Sequence, residues 1–395
     1  MLSKSGSSSP STPQSTLPTK RSAASAGSVF RSDVRASLHD AGNIRVDDII
    51  QDNEEDIPVA SFVRWSAALA AAASLAFQAL PASAQQFKMK ISSPTVGDVT
   101  QEWMKAFKTA VEAKSAGKIQ VELYPAGQLG AIPATVDGVA LGTIEVALPA
   151  SGFLAGLEPR FVALDMPGIF QDLGHAQRML GDPDYLALTG KFGTAKGVEP
   201  LVILAHGPAM IISHKPIRTV ADFKGQKIRV IAGTPLFIET AKKLGISPIA
   251  MPLGEVLPAL QNKAIDGSVT GLTVLTSMKY HDVAKAITAV PGGIISVGGL
   301  ANSKFLKSLG PDLEKMVRAE AQAAREATAK FGLDDVAAAR GLWTKAGGEV
   351  IDLSAAEAKI YTETVSSALP ALTGANAQLK SDYEALLAIA KKHAK

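Results

Sequence analysis

From residue 87 onward, apolar side chains switch repeatedly between a spacing of two and a spacing of three to four, and this alternation restricts the chain to a sheet with helices packed on it. Residues 87–92 alternate as a strand, and 99–113 carry a helical stripe through Trp103, Phe107 and Val111. Gly117 ends that helix, 119–124 (IQVELY) alternate again, and a loop at 125–130 leads to a helix over 132–141 closed by Gly142. A third strand is expected at 144–148. Strands separated by helices of this length predict parallel pairing through crossover connections. A helical stretch over 173–197 and a strand at 201–205 precede a second series: strand 227–231, helix 235–244, strand 248–251, helix 255–262 and strand 265–269. Glycine pairs at 292–293 and 298–299 bracket one more apolar strand, and 312–345 read as one long helix with Gly332 as a point of bending. Two final helices are expected, one capped by Ser354 and one from about 375.

Two α/β series predict an α/β fold of two lobes, in keeping with about 100–200 residues per domain. The boundary falls near His206-Gly207, and the strand near 292–299 returns across it. Residues 85–206 with about 295–330 are assigned to lobe I, and 207–294 with about 331–395 to lobe II. A chain that crosses more than once makes a hinge, and a hinge makes a cleft that closes on a ligand.

The leader has its own logic. Arg64 precedes an apolar run at 65–80 (WSAALAAAASLAFQAL) and then Ala82-Ser83-Ala84, which together predict an export signal cleaved before Gln85. Sixteen residues at about 1.5 Å rise reach about 24 Å, short of the ~30 Å hydrocarbon core that an anchor must cross. Residues 3–37 are rich in Ser, Pro and Thr, and 47–56 (DDIIQDNEED) put acid where a signal wants base. Residues 1–62 therefore read as an extension, with Val63 as a candidate translation start. The mature chain is expected to be soluble and exported to the periplasm.

Composition excludes several chemistries. The chain has no cysteine, which rules out disulfides, thiolate nucleophiles and Cys-ligated metals. A net charge of +3 is too small and too diffuse for a nucleic-acid surface. H-E-x-x-H, G-x-S-x-G, G-x-G-x-x-G, P-loop and EF-hand patterns are all missing, and Gly190-Lys191 is followed by Phe192 where a P-loop needs Ser or Thr. His175, His206, His214, His281 and His393 show no ligand spacing, so they read as surface or core imidazoles. No cofactor, metal or catalytic residue is expected.

The informative segment is KPIRTVADFKGQKIRV, residues 215–230. Thr219 starts a helical turn, Gly225 closes it, and Arg229 follows between Ile228 and Val230 on a strand. A guanidinium held on a sheet offers a rigid fork of donors that suits a carboxylate. A structural ion pair with a neighbouring acid is the equal alternative at this point.

With LGISPIAMPLGEVLPALQNKAIDG at 244–267, VELYPAGQLG at 121–130, GTIEVAL at 142–148 and Leu164-Asp165-Met166-Pro167, the chain resembles the solute-binding proteins of tripartite ATP-independent periplasmic (TRAP) transporters, of the C4-dicarboxylate-binding DctP type. The resemblance runs from about Phe87 to the C-terminus. It implies two α/β lobes joined by crossing strands and a long helix that spans both. It also implies a non-enzymatic role, the capture of a small organic acid and its delivery to the small and large membrane permease subunits for ion-gradient-driven uptake. The family's carboxylate-binding arginine falls on Arg229. Pro149, Ala150, Ser151, Thr270, Leu253 and Met210 fall on cleft positions, although Met210 fits the core as well. Ala209 stands where sugar-acid binders often have a second arginine, which points to a monocarboxylate with a less polar body. A ligand-binding input for a sensor or chemoreceptor would use the same chemistry, and an enzyme acting on an organic acid is the weaker alternative.

Overall fold

The computed structural model describes residues 87–231 and 234–394. The expected extension, signal and cleavage point lie outside them. In the first half, β1 (Phe87–Ser92), α1 (Val99–Lys114), β2 (Ile119–Tyr124), α2 (Ile132–Leu141) and β3 (Val146–Ala147) follow the predicted alternation. Short helices α3 (Leu173–Met179) and α4 (Pro183–Thr189) then lead into the long strand β4 (Val198–Ser213). The second series is β5 (Lys227–Val230), α5 (Pro235–Lys243), β6 (Ser247–Ala250), α6 (Leu253–Gln261), β7 (Gly267–Gly271) and α7 (Leu272–Ser277). The chain returns through β8 (Ala286–Asn302) and α8 (Ser303–Ser308) into α9 (Pro311–Lys345). It finishes with β9 (Glu349–Ile351), α10 (Ala355–Ser366), α11 (Leu369–Gly374) and α12 (Ala377–His393).

The nine strands of the described residues join one sheet in the order β2-β1-β3-β8-β4-β7-β5-β6, with β9 on β8. Pairing is parallel at the two ends, β1 with β2 and β3, and β5 with β6 and β7. The centre is antiparallel, because β4 and β8 run past each other through both halves. This is the two-lobed α/β arrangement with crossing strands. The β4–β8 register slips between Ala205 and Gly207 and again between Pro208 and Met210. Those slips explain why β4 is longer than the strand expected at 201–205: Pro208, which has no N–H to give, sits at an irregularity where none is needed. Gly207 adopts φ +148, and a Cβ there would meet Val336 Cγ2 at 2.9 Å, so this crossing point requires glycine.

The long helix α9 ties the halves together. Near its start Ala321 O accepts from Trp103 Nε1 at 3.0 Å, and near its end Trp343 Nε1 donates to Lys285 O at 2.9 Å. Gly332 serves close packing as well, since a Cβ there would lie 3.1 Å from Val99 Cγ2. Among the described residues no helix is long and apolar enough to cross a membrane.

Four differences from the sequence pattern have physical causes. The stretch at 173–197 is not one helix, because Pro183 breaks it and Asp182 caps the new start by accepting from Asp184 N at 2.7 Å. The third strand shrinks to two residues, with Ile144 turned under α2 against Gly138. Three helices, not two, follow Ser354, which caps α10 as expected. The last of them, α12, falls in lobe II by sequence order but packs on the first half. Arg160 Nε donates to Asp382 at 2.5 Å, His175 Nε2 meets Ala390 O at 2.9 Å, and Tyr383 Oη donates to Pro167 O at 2.7 Å.

Candidate functional site

Arg229 sits on β5 with Ile228 and Val230 turned to the opposite face, where they join an apolar cluster with Phe223, Ala241 and Leu244. Strand alternation therefore sends the guanidinium into the cleft. Arg229 is 2% exposed. Its Nε donates to Met251 O at 3.1 Å and its Nη1 to Val269 O at 3.0 Å, and Cζ lies 6.0 Å from the centre of the Phe153 ring. No carboxylate among the described residues pairs with it. Burial pulls its pKa down to about 10, a shift that the neighbouring Tyr280 only partly opposes. Of the five N–H donors of a guanidinium, the two carbonyls occupy two. A buried cation with spare donors and no counter-ion is built to receive an anion.

The guanidinium faces a chamber of about 50 Å³ at the carboxyl ends of the parallel strands, where ligands of open α/β sheets bind. Leu148, Ala150, Phe153, Ile231, Val274 and Val297 form most of its apolar wall. Thr270, Leu253, Thr95 and His206 also line it. Through Pro94, Thr95, Ile132 and Leu253 it shares walls with a wider vestibule of about 350 Å³, which carries Glu255. Across the cleft, Thr234 Oγ1 donates to Gly152 O at 3.1 Å.

Of the residues singled out from sequence, Arg229, Ala150, Thr270 and Leu253 meet at this chamber. Pro149, Ser151 and Met210 do not line it. The Pro149 carbonyl is spent on Gly298 N at 3.0 Å. Ser151 is fully buried, with its hydroxyl 2.7 Å from that of Ser296, which in turn donates to Asp165 Oδ1 at 2.7 Å. Met210 is 1% exposed and lies in the main apolar cluster. The Asp165 Oδ2 is buried and unpaired, and burial raises the carboxyl's pKa to about 7.

Sequence reasoning misses Phe153, Thr95 and His206. Thr95 follows the end of β1, and that position alone is a usable signal in a parallel sheet. His206 is more than the ordinary imidazole that its spacing suggests. Its Nε2 lies 2.9 Å from Asp98 Oδ2 and its Nδ1 3.2 Å from Thr273 Oγ1, so one ring links α1 to α7 at the crossing point of β4. Burial raises the Asp98 pKa, but hydrogen bonding to His206 helps bring it below the ordinary value. Asp98 also caps α1 by accepting from Gln101 N at 3.0 Å.

A second cavity of about 350 Å³ lies on the face that Ile211 and Val230 cover, packed against α5 and α10. Ala209 lines it, and no lysine, arginine or histidine does. The smaller chamber, with its unpaired guanidinium, is therefore the better candidate.

The sequence profile of "bacterial extracellular solute-binding protein, family 7", the DctP family, matches residues 92–372. The chain belongs to this family. It is a solute-binding protein, not an enzyme. The 2,3-diketo-L-gulonate-binding periplasmic protein of Escherichia coli is 30% identical over 252 residues, covering 62% of this chain and 75% of that one. A TRAP periplasmic solute-binding protein of Desulfovibrio salexigens, solved with orotic acid, superposes with a TM-score of 0.70 at 26% identity, covering 77% of this chain and 99% of that one. One from Shewanella oneidensis, solved with succinate, gives a TM-score of 0.71 at 22% identity over 77% and 99% of the two chains, a likeness of fold alone.

Proposed function

We propose that this solute-binding protein captures a small organic carboxylate in the periplasm and delivers it to the membrane permease subunits of a TRAP transporter, for uptake driven by an ion gradient. The signal would direct export and be cleaved before Gln85. The observation that carries the ligand class is the buried guanidinium of Arg229, which has spare donors and no counter-ion among the described residues. The ligand's carboxylate takes the free edge of that guanidinium, while Ala150, Thr270 and Leu253 enclose its body.

Lobe I is built from 85–206 with about 295–330, and lobe II from 207–294 with the chain beyond about 331 as far as α10. The slips in β4 beside His206-Gly207 support a hinge there. The bound carboxylate stabilises the closed form because it makes contacts with both lobes that the open form lacks. The relatives support this reading by the ligands in their names, among them 2,3-diketo-L-gulonate and orotic acid.

The test is a thermal-shift screen of the purified protein over organic acids, since a ligand that binds only the folded state raises its unfolding midpoint by mass action. At least one carboxylate should raise the midpoint in the wild type and not in Arg229→Ala. A library-wide absence of shift, or shifts that survive the substitution, would count against the proposal.

A further inference from the structure

Resting on the carboxylate reading of Arg229, we infer that the chamber selects monocarboxylates with a compact, uncharged and largely apolar body, and rejects dicarboxylates and polyhydroxylated sugar acids. Charge is the first reason. Among the described residues of the chamber, Arg229 is the one cation with donors to spare. The other titratable wall, His206, has both ring nitrogens engaged, with Asp98 and Thr273. The vestibule offers a second carboxylate no cation: its one charged side chain among the described residues is Glu255, which is exposed and repels it.

Hydroxyl partners are the second reason. Ser151 lies behind the wall, tied to Ser296 and Asp165. The Thr95 hydroxyl lies 3.3 Å from that of Ser93 and also bonds to Asp98. Among the described residues of the chamber, Thr270 is left as the hydroxyl free to meet a single oxo or hydroxyl group on the ligand. A sugar acid would bury several hydroxyls against Leu148, Phe153, Val274 and Val297 without partners. Each such loss costs on the order of tenfold or more in affinity.

The experiment is isothermal titration of the purified protein with 4-methyl-2-oxopentanoate, 3-methylbutanoate, succinate and D-galacturonate, with Arg229→Ala in parallel. One of the two monocarboxylates should bind at least ~100-fold more tightly than succinate and D-galacturonate, and Arg229→Ala should abolish that binding. Should that variant not fold, Arg229→Lys takes its place and should weaken binding because the planar fork is lost. If succinate or D-galacturonate binds as tightly as the monocarboxylates and still depends on Arg229, the selectivity is overturned while the anchor stands. If none of the four binds, or binding is indifferent to Arg229, the carboxylate reading itself fails.

Discussion

Replacing Arg229 with alanine should separate binding from folding. In the bound state the free edge of the guanidinium makes two charge-assisted hydrogen bonds, each worth about 1.5–3 kcal/mol net. Losing both costs roughly 3–6 kcal/mol, which weakens affinity by about 10²–10⁴. The unliganded fold should change far less, because opposing effects meet there. A pKa drawn from 12.5 to about 10 means that holding the charge in this site costs about 3 kcal/mol. Alanine removes that cost, but leaves Met251 O and Val269 O without their donor, at about 1–3 kcal/mol each. The net change in apo stability should lie between about 1 kcal/mol of stabilisation and about 3 kcal/mol of destabilisation. Titration calorimetry gives the affinity, and urea unfolding without ligand gives the stability. A variant that binds within threefold of wild type would refute the reasoning, because the guanidinium would then not be the anchor.

Three further outcomes follow from the surrounding structure. Asp165→Asn should stabilise the protein increasingly as pH rises. The folded-state pKa is raised from 3.8 to about 7, so the wild-type fold holds a proton that the unfolded chain gives up, and stability falls from about pH 4 to pH 7 by up to ~4 kcal/mol. Urea unfolding of both proteins at pH 4 and pH 7.5 reads this, and equal pH slopes would contradict it. His206→Phe should destabilise the fold by about 3 kcal/mol, because Asp98 is left buried without its partner; an unchanged urea midpoint would argue against the bridge. Gly207→Ala should cost roughly 1–3 kcal/mol from its φ of +148 and the approach of Val336, and a calorimetric unfolding midpoint within 1 °C of wild type would contradict that strain.

Periodicity reveals the α/β character and most element positions because those elements bury one face and keep the spacing that burial demands. The helix at 132–141 with its closing Gly142 and the strand that carries Arg229 are both legible in this way. The full lengths of β4 and β8 are not, because Pro208 and the Pro291-Gly292-Gly293 run signal turns in isolation. Within the sheet they occupy register slips, which are a property of the paired strand. The chamber is half legible. Arg229, Ala150, Thr270 and Leu253 come from local motifs, whereas His206 acquires its meaning from Asp98 and Thr273, partners 108 and 67 residues away. Ser151 neighbours Ala150 in sequence, yet its hydroxyl turns to Ser296, 145 residues on. No local pattern carries that direction.

A crystal structure of the protein with its carboxylate bound tests the central claim most directly. Both carboxylate oxygens should lie about 2.7–2.9 Å from guanidinium nitrogens of Arg229, with Thr270 and Ala150 beside the ligand. A ligand seated instead in the larger apolar cavity beside Ala209, or an Arg229 turned away to pair with an Asp or Glu of the protein, would contradict the account.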